Sequence, residues 1–328
     1  MTKPAPYEIL GIGNAFVDYL VKVPHEFIDS LEGSKHGMLL VEHATLSELL
    51  ERSQQTPTIL SGGSSANVLK GLSRLGHSCA LLGPIGKDDT ASIFKHSLDS
   101  YGIASLLVEK SEPSPQVICL IDPEGRRTFR SFLGAAKQLT PEDIDQSYFQ
   151  GVRLVHIEGY SLKRPGVLLR AVQCAKKAGA KISIDLASHE IVSEHYDELL
   201  EVLRQHLTIV FCNEDEATAL SLNSPEVGCK FLRDFCDIAV VSKGTEGCLV
   251  GTADGIQSFP AYPVKATDTT GAGDFFSSGF LHGYLSNKSL TQCAHFGAVM
   301  GNAVVQTTGA EIPLELLPLV KKRILEQQ

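Results

Sequence analysis

Hydrophobic and polar positions along the chain switch between two periods. Short apolar runs occur at 8–13, 79–82, 154–157, 182–185, 208–212 and 238–242. Runs of this length and β-branched content predict buried strands. Between them lie longer segments with apolar residues three and four apart, at 45–54, 88–101, 165–178, within 190–205, and at 214–220, 225–235 and 290–305. These predict helices. A further helix follows Asn67, with Val68, Leu69, Leu72 and Leu75 on one face and a stop at Gly76. The pieces 117–121 and 128–133 predict a hairpin, and 248–250 is expected to pair with the segment near Ile256. Strand-like pieces at 17–23 and 37–41 flank a polar segment and predict a small sheet outside the main core. Alternating strands and helices predict an α/β fold with a mostly parallel sheet and helices on both faces. The simplest division is one unit over residues 1–328, with a small β lid from segments within about 14–42 and 106–133.

Composition narrows the function classes. The chain of 328 residues has 43% hydrophobic and 20% charged residues, as expected of an ordinary globular protein. Its net charge of -9 argues against broad nucleic-acid binding, which needs a basic face. The eight cysteines form no Cys-x-x-Cys pair, and several lie in apolar runs, so they read as reduced core thiols. No stretch resembles a signal peptide or reaches 18 apolar residues. The expectation is a cytoplasmic protein without membrane or nucleic-acid partners, monomer or homodimer.

The chemistry concentrates in a few glycine-rich and acidic turns. Residues 267–284 run from a polar loop through Gly271-Ala272-Gly273 into a helical pattern. Unobstructed backbone N–H groups at such a helix start favour an anion. Asp274 follows directly, and a carboxylate there can take a proton from an attacking hydroxyl. The plain alternative is a helix N-terminus with an acidic first turn. A second glycine-bearing helix start, 61–67, offers Gly63 and Asn67 for close approach and hydrogen bonding, or only for capping. Asn14 and Asp18 follow the first strand, where open α/β sheets bind ligands, and Asp18 can accept from two neighbouring hydroxyls. Asn213, with the carboxylates of 214–216, fits either a hydrated Mg²⁺ or a capped acidic helix start. Ser242-Lys243-Gly244 is a polar strand exit that borders a nucleotide or makes a hairpin turn. Arg127 is solvated or swings over a transferring phosphate. A Walker loop and a complete dinucleotide fingerprint are both missing. Two glycine-rich helix starts suggest two neighbouring sites, one per substrate, with transfer between them.

Asp268-Thr-Thr-Gly-Ala-Gly-Asp274, together with Gly62-Gly63-x-x-x-Asn67, resembles the paired signatures of the ribokinase/PfkB carbohydrate kinase family, from about residue 8 to 313. The resemblance implies a Rossmann-like domain with a β lid, and transfer of the ATP γ-phosphoryl group to an alcohol. It implies Asp274 as catalytic base and the N–H groups of Gly271, Ala272 and Gly273 as an anion hole. By the same resemblance, Asn213, Ser242 and Gly244 border ATP, and Glu216 lies near Mg²⁺, through water. Asp268 and Thr270 match positions that hold a monovalent cation such as K⁺ in some members. Asp18, Gly63 and Asn67 match acceptor contacts. Gly11-Ile-Gly-Asn14-x-x-x-Asp18 and Glu158-Gly159-Tyr160 look like segments of adenosine kinases, as does the run 127–136 of bacterial members of that type. They imply a nucleoside acceptor, adenosine first, with Tyr160 stacking on the base and Arg127 near the phosphate. Segment 37–42 offers no second aromatic for a base. A free sugar such as ribose or fructose is the alternative, and a catalytically silent nucleotide-binding protein is a further one. A sugar-phosphate acceptor needs a cationic pocket, for which Lys22, Lys35 and His36 are the nearby candidates.

Overall fold

The computed structural model describes residues 7–33, 35 and 37–326. Its strands, in chain order, are β1 (Ile9–Ile12), β2 (Val17–Lys22), β3 (Met38–Leu40), β4 (Thr58–Ser61), β5 (Cys79–Ile85), β6 (Ala104–Glu109) and β7 (Gln116–Ile121). They continue with β8 (Arg127–Phe132), β9 (Leu154–Glu158), β10 (Lys181–Asp185), β11 (Leu207–Asn213), β12 (Cys236–Ser242), β13 (Cys248–Thr252) and β14 (Gly255–Phe259). Nine of them form one sheet in the order β14-β13-β12-β11-β10-β9-β1-β5-β6. It is parallel from β6 to β12, and β13 and β14 add antiparallel at one edge. Every residue of β1 and β5 is buried. Helices cover both faces, which explains why these strands read as unbroken apolar runs rather than alternating ones.

The remaining five strands form a second sheet, ordered β3-β8-β7-β2-β4. Here Val21, Val23, Ile118, Leu120 and Phe132 pack beneath the helix His43–Ser53, through Leu46 and Leu49. Two boundaries differ from expectation. Residues 104–109 pair with β5 in the large sheet, so the small sheet begins its second contribution at Gln116. Ser61, expected to open the glycine-bearing helix start, instead ends the strand Thr58–Ser61, which pairs with β2. The pairing partner decides both cases, and periodicity does not reveal it. The segment within 190–205 forms two helices, His189–Glu194 and Tyr196–Leu203, broken at His195. All eight cysteines are buried and free. Among the described residues, no helix is long and apolar enough to cross a membrane.

The order of the large sheet positions the site. From β1 the chain moves outward to β5 and β6, then returns to the other side of β1 through β9 and β10. The direction of winding reverses at β1, and such a switch point leaves a crevice beyond the carboxyl ends of the strands. Asn14, Glu158, Asp185, Asn213 and Ser242 stand at or just past the ends of β1, β9, β10, β11 and β12.

Candidate active site

At the end of β1 the Asn14 backbone N–H donates to Glu158 Oε1 at 2.8 Å, and its side-chain amide donates to the same oxygen at 2.6 Å. The Ser65 N–H donates to Glu158 Oε2 at 3.2 Å. Arg164 donates to Asn14 Oδ1 at 2.6 Å and to the Ala136 carbonyl at 2.8 Å. Burial pushes the Glu158 carboxyl up to about 7, against the pull of Arg164 and the N–H donors. Asn14 is thereby fixed in one amide orientation. Gly63 caps the helix Ser64–Arg74 with φ +95, and a Cβ there would sit 2.2 Å from the Asn14 carbonyl oxygen. Glycine alone permits this approach. Asp18, on β2, lies across the turn from Gly62, and burial pushes its carboxyl up to about 6.

The second glycine-rich turn meets the first. Gly271, at φ +76, caps the helix Ala272–Leu285, so Asp274 falls in its first turn. Ser64 Oγ donates to Asp274 Oδ1 at 2.7 Å, and Asn67 Nδ2 donates to Oδ2 at 2.9 Å. Burial raises the Asp274 carboxyl, opposed by these two donors and by Lys70. Gly273 is exposed, with nothing within 4 Å of where a Cβ would stand, so an anion can approach its backbone. The expected three-residue hole needs one correction. The Ala272 N–H donates to the Thr269 carbonyl at 3.1 Å, closing the turn that lifts Gly271 into its left-handed conformation.

A polar cleft of about 270 Å³ runs from Asp274 and Gly273 past Asp185, Asn213 and Glu216 to Ser242. Asn213 caps the helix Glu214–Ser221 in a reciprocal box, and its N–H and Nδ2 donate to the Glu216 carboxylate at 2.9 and 2.7 Å. The capping reading therefore holds alongside any ligand role. Burial raises Glu216 to about 7. Asp185 is raised well above the ordinary range by burial, then by the charges of Glu216 and Asp274. Asp185 was not singled out from the sequence. Its signal is its place at the carboxyl end of β10, level with Glu158 on β9. These oxygen donors suit a hard divalent cation. Gly244 opens the 3₁₀ turn Gly244–Glu246 of the β12–β13 hairpin and does not line the cleft. Lys243 pairs with Glu246 at 3.0 Å and Glu226 at 3.7 Å.

Arg127, on β8, reaches the loop before Gly271. Its guanidinium meets Asp268 Oδ2 at 2.6 Å and donates to Thr270 Oγ1 at 2.8 Å. The other Asp268 oxygen accepts from the Thr270 N–H and hydroxyl, and Gly309 N–H donates to Oδ2 at 2.7 Å. These groups outweigh burial and hold the Asp268 carboxyl below its usual range. A monovalent cation does not fit this arrangement, because a guanidinium already neutralises Asp268 and engages Thr270.

Beside Asn14 and Asp18 opens a cleft of about 390 Å³ between the two sheets. Its walls are mostly apolar, with Phe16, Met38, Leu40, Val117 and Phe129. Tyr160 lines both clefts and is 40% exposed. The aromatics absent from segment 37–42 thus come from Phe129 on β8 and from Phe16, which only the folded sheet brings together. Lys137 and Lys163 also line the cleft, with Arg164 beside Asn14. None was a candidate cation in the sequence. Of those that were, Lys22 does not line this cleft, Lys35 pairs with Asp29 at 2.7 Å, and His36 lies outside the described residues.

Four likenesses bear on this geometry. The model of the pfkB family carbohydrate kinases matches residues 41–316. An ATP-dependent ribose-1-phosphate kinase from Halopiger xanaduensis is 28% identical over 254 residues, covering 76% of this chain and 81% of that protein. Among solved structures, a probable sugar kinase protein from Rhizobium etli CFN 42 has a TM-score of 0.87 at 27% identity, covering 97% of this chain and 98% of its own. The adenosine kinase from Sinorhizobium meliloti has a TM-score of 0.86 at 28% identity, covering 97% and 99%.

Proposed function

The chain belongs to the pfkB family of carbohydrate kinases, a phosphotransferase acting on nucleosides or sugars, and from that premise we propose that its acceptor is a nucleoside, adenosine first. The observation that carries this reading is the aromatic and apolar cleft beyond Asn14 and Asp18. A free ribose or fructose would bury its polar hydroxyls against Phe129, Met38 and Leu40 without partners, whereas a purine supplies flat apolar faces. Asn14, Asp18, Gly63 and Asn67 grip the ribose, and Tyr160 flanks the base.

In the transfer itself, the acceptor 5′-oxygen bonds to the γ-phosphorus as the bond to the β–γ bridging oxygen breaks. Asp274 takes the hydroxyl proton, and ADP leaves. Gly271 and Gly273 present N–H groups to the charge on the transferring group, which needs positioning and stabilisation more than covalent chemistry. Asn213 and Ser242 border the ATP. Mg²⁺, which the family uses with ATP, neutralises phosphate charge when bound, and Asp185 and Glu216 are the residues to hold it, Glu216 through water. Arg127 ties β8 to the loop preceding Gly271, so the small sheet acts as a lid whose closure and the phosphoryl cradle are set together.

A second reading is favoured by the two lysines lining the cleft, Lys137 and Lys163. Their charge suits an acceptor with its own phosphate, such as a ribose phosphate. Calorimetric titration with adenosine and with ribose-1-phosphate separates the two. Saturable binding of adenosine and none of ribose-1-phosphate supports the nucleoside reading, and the reverse supports the second.

A further inference from the structure

Lys70 lies on the helix Ser64–Arg74, one turn beyond Asn67, with no exposed surface. Among the described residues no other lysine is buried. Its ammonium donates to the Ser61 carbonyl at 2.5 Å and to Asn67 Oδ1 at 3.4 Å, and it lies 3.9 Å from Glu311 Oε1. It faces the Tyr101 ring from 5.7 Å, with Arg74 stacked on the same ring at 4.1 Å. Three carboxylates act on it from three different segments: Asp18 from β2, Asp274 from the helix Ala272–Leu285, and Glu311 from beyond the helix Leu290–Val304. Glu158, at the end of β9, is occupied by Asn14 and Ser65.

Burying an ammonium is costly, and an apolar side chain of similar length would fill the same space. The Ser61 carbonyl alone is a weak reason for the cost. Asn67 supplies a better one. An ammonium has no acceptor lone pair, so only the amide oxygen of Asn67 can face it. The amide nitrogen must then face Asp274, as it does.

We propose that Lys70 is a positioning residue of the phosphoryl-transfer site, which orients the Asn67 amide toward Asp274 and supplies the buried positive charge that Asp18 and Asp274 share. The inference rests on the reading of Asp274 as the base. Burial lowers the Lys70 ammonium to about 8, with Glu311, Asp18 and Asp274 holding it up. Two effects on the rate follow. Below neutrality, the positive charge favours the ionised form of Asp274, so losing it moves the acid limb upward. As pH rises through about 8, the neutral amine gains an acceptor lone pair and no longer fixes the Asn67 amide oxygen toward itself, so the rate falls.

The test is the pH dependence of kcat/KM for wild type, Lys70→Met, Glu311→Gln and Asp274→Asn, with thermal melting of each. Lys70→Met is expected to move the acid limb up by about one pH unit, the smaller end of what an opposite charge a few ångströms away produces. It is also expected to abolish the alkaline limb. Glu311→Gln, at a partly exposed position, removes a carboxylate that supports the ammonium, so its alkaline limb moves to lower pH. That variant keeps the proposal testable if Lys70→Met does not fold. A Lys70→Met enzyme that melts earlier but keeps both limbs, or a Glu311→Gln enzyme with an unmoved alkaline limb, overturns the proposal. An active Asp274→Asn enzyme overturns instead the assignment of the base on which it rests.

Discussion

Asn67 and Asp274 are 207 residues apart in sequence, and the amide of one donates to the carboxylate of the other at 2.9 Å. This bond joins the two glycine-rich helix starts into one site. Ser64, from the same turn as Asn67, holds the second carboxylate oxygen at 2.7 Å. Both donors favour the ionised form, the form able to accept a proton.

Two outcomes are expected at this junction. Asp274→Asn keeps the shape and removes the proposed base, and kcat should fall by at least ~10²-fold. Ser64→Ala removes a donor to the ionised carboxylate, so the Asp274 pKa rises further. Activity requires the ionised form, and its loss on acidification should therefore begin at higher pH than in wild type. Steady-state kinetics across pH reads both.

The Arg127–Asp268 pair already neutralises the carboxylate that a monovalent cation would need. Replacing potassium by sodium or by a large organic cation should leave the initial rate unchanged. Arg127→Ala should lower kcat/KM by about tenfold or more, the scale of a charged hydrogen bond. Initial-rate assays in cation-exchanged buffer are the check, and strong potassium activation of the wild-type enzyme would contradict this account of Asp268.

Gly63→Ala should be disproportionately damaging. The left-handed backbone and the 2.2 Å approach to the Asn14 carbonyl oxygen leave no room for a methyl group. Strain of this kind costs about 1–3 kcal/mol. Thermal melting should show the loss, with a raised acceptor KM because Asn14 is displaced.

Much of this site was legible in the sequence because its chemistry sits in local motifs. Gly271 to Asp274, Gly63 to Asn67, and Asn213 to Glu216 each announce a helix start from adjacent residues. What was not legible depends on register between distant strands. Asp185 ends an ordinary-looking strand, and only its place beside Glu158 brings it to the cleft. Phe129 joins the acceptor wall because β8 lies beside β3 in the small sheet. The lid is expected to draw on residues from about 106, yet the strand 104–109 pairs with β5 in the large sheet. Arg127 was read as a surface or phosphate residue, since nothing near it in sequence reveals the Asp268 carboxylate 141 residues away.

Phe129→Ala tests the apolar wall. Losing an aromatic contact to a base costs about 1–2 kcal/mol, or roughly tenfold in KM for a nucleoside. A free sugar, which has no base to contact, should be unaffected. Competition kinetics with both acceptors distinguishes a lost contact from a general disturbance of the lid.

The most direct measurement is ADP release with ATP and Mg²⁺ over a panel of adenosine, other nucleosides, ribose, fructose and ribose-1-phosphate. The expected result is turnover on adenosine, yielding the 5′-monophosphate, at far higher kcat/KM than on any free sugar. Turnover on ribose, fructose or ribose-1-phosphate with none on any nucleoside would contradict the reading of the aromatic cleft as a base site.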